Sequence, residues 1–366
     1  MRGFAPVLLV VALAMQAKAA PYIMYAGSYT AGDSKGIYGW RFDSETGALS
    51  PLGLLAETAQ PAHLWIAPNG KTLYTVNWET KGRLSAYRIT RKTGALTFLN
   101  TISAHGALPN QVMVDPSGRV AVTVNYDSGS LAAYTLEPDG KLGGAFYVDQ
   151  HTGKPLSPKQ PKLHGIQFSK DDRFMFITDL GLDRVYSYRF DATVPSITPF
   201  DPPYTETHTG AGPRRIQMSP DGRFLYVDHE TDSEVEVFAI DGGRLKSIQI
   251  LPTVPDQLKV NNTTAEIIIA ADGRYLYVAN RGHDSIAIFA VDPQAGLLTH
   301  TENVPSGGRT PRNIRFDPTG DWFFAANETS GTINEFKVDK LSGHLMPTGA
   351  SVSIGTPGGL YFLKTR

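Results

Sequence analysis

His164, Arg214 and Arg312 share one recurring place in the chain, six residues ahead of the Pro of a Pro-x-Gly turn or its equivalent. Glu230, Arg281 and Glu328 share a second, directly after a strand-ending Asn or its counterpart. In the other copies the first place holds Ala62, Asn110, Ala265 and Gly358. The second holds Trp78, Tyr126 and Leu180, with Tyr29 as the counterpart near the N-terminus. A position that is small or neutral in most copies and ionised in a few needs a reason beyond the scaffold. Arginine presents a rigid fork of donors matched to carboxylate or phosphate. A carboxylate or imidazole beside it limits self-repulsion and can accept a proton. If both places lie on one face, the six groups form an anion site, with Trp78 and Tyr126 as an aromatic wall opposite. The plainer use of the same residues is as salt bridges between repeats and a structural histidine. With no cysteine, thiolate nucleophiles, thiolate metal sites and disulfides are excluded. No His-x-x-x-His or His-Glu-x-x-His spacing appears, and no metal site or cofactor is expected.

The elements that must position these residues repeat with them. Six copies of an apolar strand, a Pro-x-Gly-Arg type turn and a second apolar strand begin at Pro61, Pro109, Leu163, Pro213, Thr264 and Pro311. A third strand follows in each (RLSAYRI, SLAAYTL, RVYSYRF, EVEVFAI, SIAIFAV, TINEFKV), and a fourth after another turn. Four short strands in about 50 residues is the spacing of a propeller blade. Residues 357–366 match only a first strand, and 22–42 match a second and third. Joined, they make a seventh blade and leave no sheet edge at the seam. The expected fold is all-β: one seven-bladed β-propeller domain over 21–366, with four antiparallel strands per blade, closed by N- and C-terminal strands in one blade.

Composition narrows the partners. The 366 residues carry a formal net charge of −1, which gives no bulk attraction to nucleic acid or to an anionic membrane. Residues 1–19, MRGFAPVLLVVALAMQAKA, have a basic start, a short apolar run and a small-x-small end. That pattern is a signal peptide cleaved near Ala19, and its apolar run is too short to span a bilayer. A periplasmic or secreted protein, with no membrane association after cleavage, is the expectation.

Two segments, GAGPRRIQMSPDGRFLYVDHE at 210–230 and YLYVANRGHDSIAIF at 275–289, resemble the lactonase-type seven-bladed propellers. That family includes bacterial 6-phosphogluconolactonases and fungal carboxy-muconate lactonizing enzymes. The resemblance extends over essentially all of the chain after the leader. Its motif of a His in the third blade, Arg after Gly-Pro, Glu after the following strand and Arg in Asn-Arg falls on His164, Arg214, Glu230 and Arg281. It implies a small-molecule lactone as substrate and those four residues as catalytic. Glu230 or His164 would take a proton from water, and Arg214 and Arg281 would stabilise the oxyanion. Arg312, Glu328, Trp78 and Tyr126 are expected to bind the substrate. An export leader departs from a cytosolic phosphorylated substrate and fits an unphosphorylated aldonolactone better. A lactonizing enzyme using the same pocket, and a non-catalytic periplasmic binding module, are the alternatives.

Overall fold

Each copy opens with a hairpin whose turn depends on one residue in the left-handed region. Gly70, Gly118, Gly222, Gly273 and Gly320 take φ between 66° and 76° there. The third copy reads Ser-Lys-Asp-Asp, and Asp172 adopts the same conformation at φ 56°, which a short polar side chain tolerates better than most. The protein is described by a computed structural model over residues 22–365, apart from 31, 154–158 and 256–260. The leader expected at 1–19 lies outside the described residues.

Twenty-eight strands, β1 to β28 in chain order, form seven four-stranded antiparallel sheets, and no helix occurs among the described residues. The innermost strands of blades one to six are β4 (Pro61–Ile66), β8 (Pro109–Val114), β12 (Leu163–Phe168), β16 (Pro213–Met218), β20 (Thr263–Ile269) and β24 (Pro311–Phe316). In blade seven the innermost strand is β28 (Thr356–Lys364), the last of the chain, and it pairs with β1 (Tyr22–Tyr29), the first. The expected seam is therefore present. Innermost strands of successive blades pack on one another all the way round, β28 against β4 included.

The hydrophobic pattern explains why blades stack. On β17 (Phe224–His229), Leu225 and Val227 point to the cluster shared with blade three, while Phe224 and Tyr226 point to the one shared with blade five. Alternation along a strand sends successive side chains to opposite faces, and both faces of a blade are covered, so the second strands are buried along their whole length and mostly apolar. Seven apolar clusters result, one at each junction between neighbouring blades. The fourth strands form the outer rim and are largely exposed.

Candidate active site

Antiparallel pairing sets the end of the ring at which the site must lie. The first residue of each innermost strand sits across from the last of the next strand, as Pro213 does from His229 and Pro61 from Asn77. Both variable places therefore fall at one end of the ring in every blade. All seven innermost strands are bulged at the first place. Ala62, Asn110, His164, Arg312 and Gly358 are each skipped in the pairing, as are Arg214 with Arg215 in blade four and Ala265 with Glu266 in blade five. A bulge takes a residue out of the ladder and re-aims its side chain. The second place is held by one further backbone bond: Trp78, Tyr126, Glu230 and Glu328 each donate their N–H to the carbonyl just before the innermost strand.

Going round the mouth, the groups named from sequence meet their neighbours. Tyr29 of blade seven packs edge-on to Trp78 of blade one, with ring centroids 5.8 Å apart. Tyr126 of blade two packs edge-on to His164 of blade three at 5.9 Å. In blade four, Arg214 Nε donates to Glu230 Oε2 at 2.6 Å, and Arg281 of blade five places Nη2 3.1 Å from the same oxygen. Arg312 of blade six donates from Nη1 to Glu328 Oε2 at 3.1 Å and lies over the Tyr29 ring, 5.3 Å from its centroid. The circuit closes there. Both halves of the sequence expectation, the ionised groups and the aromatic wall, sit at the same end of the ring.

Electrostatics distinguish the members. Arg214 is only 2% exposed, and its Nη1 has no hydrogen-bond partner. His164 is buried with Nδ1 unpartnered. Desolvation, then Arg214, Arg215, Arg312 and Arg281, push its pKa well below 6.5 and keep the ring neutral. Burial alone would raise the Glu230 carboxyl, but Arg214 and Arg281 overcome that and hold it below the ordinary glutamate value. Arg281 is lowered to about 10 by desolvation and by Arg214, against the pull of Glu230. For Arg312 burial works against the charge, yet Tyr29 and Glu328 raise its pKa.

Sequence reasoning missed the floor of the site. Arg215, unpaired beside Arg214 at the bulge of β16, is buried and reaches across three blades. Its Nη1 donates to the His164 carbonyl at 3.3 Å, Nη2 to the Asn110 carbonyl at 3.4 Å, and Nε lies 3.7 Å from Glu266 Oε2. Glu266 accepts a further bond from Asn313 Nδ2 at 2.8 Å. Desolvation lowers Arg215 to about 10 in spite of Glu266. The signal was one position further along the repeat, where His63, Gln111, Gly165, Arg215, Glu266, Asn313 and Gly359 align and charge appears in two adjacent copies.

The arrangement offers an ionised carboxylate, a neutral imidazole and guanidinium donors, with Arg214 Nη1 and Arg281 Nε unused, around a single opening. It suits chemistry in which a water loses a proton and negative charge develops on an oxygen. The family model described as "Lactonase, 7-bladed beta-propeller" matches residues 23–362. A 6-phosphogluconolactonase of Bacillus subtilis is 35% identical over 352 residues, spanning 93% of this chain and 98% of the relative. One from Formosa agariphila is 28% identical over 88% and 94%. The solved structure of a periplasmic gluconolactonase of Pseudomonas aeruginosa superposes with a TM-score of 0.89 at 33% identity, covering 94% of this chain and 99% of that one.

Proposed function

The chain belongs to the lactonase family of seven-bladed β-propellers, and from that premise we propose that its charged mouth opens an unphosphorylated aldonolactone or a related sugar-acid lactone. The protein is a lactone hydrolase. The observation that carries the assignment of the site is the Arg214–Glu230–Arg281 grouping, in which both arginines converge on Oε2. Oε1 is then the oxygen turned to a water.

In the proposed reaction a water attacks the lactone carbonyl carbon and passes its proton to Glu230. The carbonyl oxygen becomes an oxyanion, which the unused Nη1 of Arg214 and the Arg281 guanidinium stabilise. The tetrahedral carbon then expels the ring oxygen, and the proton on Glu230 returns to it, giving a hydroxy acid. Preorganised donors of this kind lower a barrier by about 3–4 kcal/mol each. His164, kept neutral, orients the lactone. Trp78 and Tyr126 offer apolar faces to the sugar ring, and Arg312 with Glu328 takes its hydroxyls.

The preference for an unphosphorylated ring rests on the leader pattern at 1–19 and on the periplasmic gluconolactonase among the similar structures. A phosphorylated intracellular lactone would not meet an exported enzyme. Proton release in a pH-stat, with δ-gluconolactone and its 6-phosphate compared at equal concentration, tests both parts. Faster opening of the unphosphorylated ring is expected. A preference for the phosphate would overturn the substrate assignment, and absence of catalysis on both would overturn the site.

A further inference from the structure

The repeat supplies its own control at a place away from the mouth. The last residue of the second strand is Asn77, Asn125, Asn280 or Asn327 in four blades. Each of these side chains donates to the connection that enters its blade: to Thr58 Oγ1, Ala104 O, Thr253 O and Ser306 O respectively. Blade three uses Asp179, which accepts from Lys162 N at 2.8 Å and lies 2.9 Å from His151 Nδ1. Blade four alone has a histidine, His229. It is 0% exposed, and neither ring nitrogen makes a well-aligned hydrogen bond.

What surrounds His229 is also peculiar to blade four. Its Nδ1 lies 3.7 Å from Asp232 Oδ1 and 3.9 Å from Glu234 Oε2. His208, on the connection entering the blade, brings Nε2 to 3.6 Å from Glu234 Oε2 and into direct contact with Asp232 Oδ2. The cross-strand counterparts of Glu234 are Arg83, Ser130, Arg184, Ser285 and Thr332, none of them acidic. On its far side, His229 Nε2 stands 3.1 Å from Oε2 of the buried Glu236.

We infer that His208, His229, Asp232 and Glu234 form a binding site for one divalent transition-metal ion of the zinc class, with Glu236 orienting His229 from behind. One ligand atom from each of the four lies within 4.8 Å of the others. Tetrahedral zinc with bonds of about 2.0–2.1 Å separates its ligand atoms by about 3.4 Å, so small side-chain rotations close the set. Imidazole with carboxylate suits this class of ion over calcium or magnesium. A carboxylate behind the second nitrogen of a ligating histidine is a recurrent way of fixing its tautomer and aim. The ion would clip the entering connection to the end of β17, one residue before Glu230.

The test is zinc alone, added to untagged full-length protein that has been stripped with a chelator. Isothermal titration and elemental analysis after dialysis are expected to give about one equivalent per chain, with Tm raised by several degrees as binding to the native state requires. His229→Asn, the residue four other blades carry, and Asp232→Asn each remove that equivalent and the Tm shift. X-ray absorption should show two imidazole nitrogens with oxygens. No retained zinc in the unaltered chain, or equal retention by both variants, would overturn the site and leave the cluster as a network of histidines and carboxylates.

Discussion

Arg214, on β16, and Glu230, just past the end of β17, are sixteen residues apart in sequence, yet Nε and Oε2 meet at 2.6 Å. The bulge at the start of β16 turns Arg214 out of the ladder, and the backbone bond from Glu230 N to Gly212 O holds the carboxylate beside it. The pair is buried on the arginine side and open on the glutamate side, so the charge is fixed where a substrate can reach it. A fixed dipole pays no reorganisation when an oxyanion forms.

Glu230→Gln and Arg214→Gln should each lower kcat for lactone opening by about a hundredfold, the scale of losing one preorganised group. Glu230→Gln keeps the side-chain volume, whereas Arg214→Gln shortens a buried side chain, so circular dichroism and the unfolding midpoint check that the fold survives. Unchanged kcat in either variant would remove that residue from the chemistry.

The pH profile of kcat/KM should have its acid limb below 4.5, the ordinary glutamate value, because Glu230 is held below it. Activity is then full above that limb and falls as the pH drops through it and the carboxylate takes up a proton. No limb is expected near 6.5, since His164 stays neutral there. Arg214→Gln removes one of the two charges that depress Glu230, so the residual activity of that variant should show its acid limb at higher pH.

Arg215 and Glu266 allow a double-mutant cycle. Removing one partner of a buried pair leaves an uncompensated charge, at a cost of about 3–5 kcal/mol. Arg215→Met alone should therefore destabilise strongly. Adding Glu266→Gln, which deletes the charge left behind, should recover part of the loss. Urea unfolding of the four proteins measures the coupling, and strict additivity would show that the 3.7 Å contact carries no energy.

Gly165→Ala probes the approach of β12 to β16. A Cβ there would lie 2.6 Å from Arg214 O and 2.7 Å from Thr178 Oγ1, displacing the bond from Thr178 Oγ1 to that carbonyl. Overpacking of this sort costs about 1–3 kcal/mol. Both the urea midpoint and kcat should fall, because the strand pushed aside carries Arg214.

The blades were readable from the chain because each repeat carries local chemistry: a turn residue with positive φ, apolar strands and a polar outer strand. The closing blade was readable because the two ends of the chain hold complementary fragments of one repeat. The division of the eight residues named around the mouth into four catalytic and four binding candidates comes from the family resemblance, and the residues themselves stand where the copies disagree. That comparison works at positions the ring makes equivalent. It missed Arg215 and Glu266, which stand one repeat position further along β16 and β20 and find their partners on other blades. It also missed His208 and His229, which lie on a loop and a strand with no motif spacing between them. Their meeting depends on how the connection folds back over blade four.

What the amino-acid sequence determined alone is everything that repeats, since periodic burial and turn chemistry act over a few residues. What only the tertiary structure decided is which side chains share a space: the bulges that aim them, the depth that desolvates Arg214 and His164, and the cross-blade reach of Arg215. Those depend on through-space distances between residues of different blades, and electrostatic energy follows distance and burial, not order along the chain.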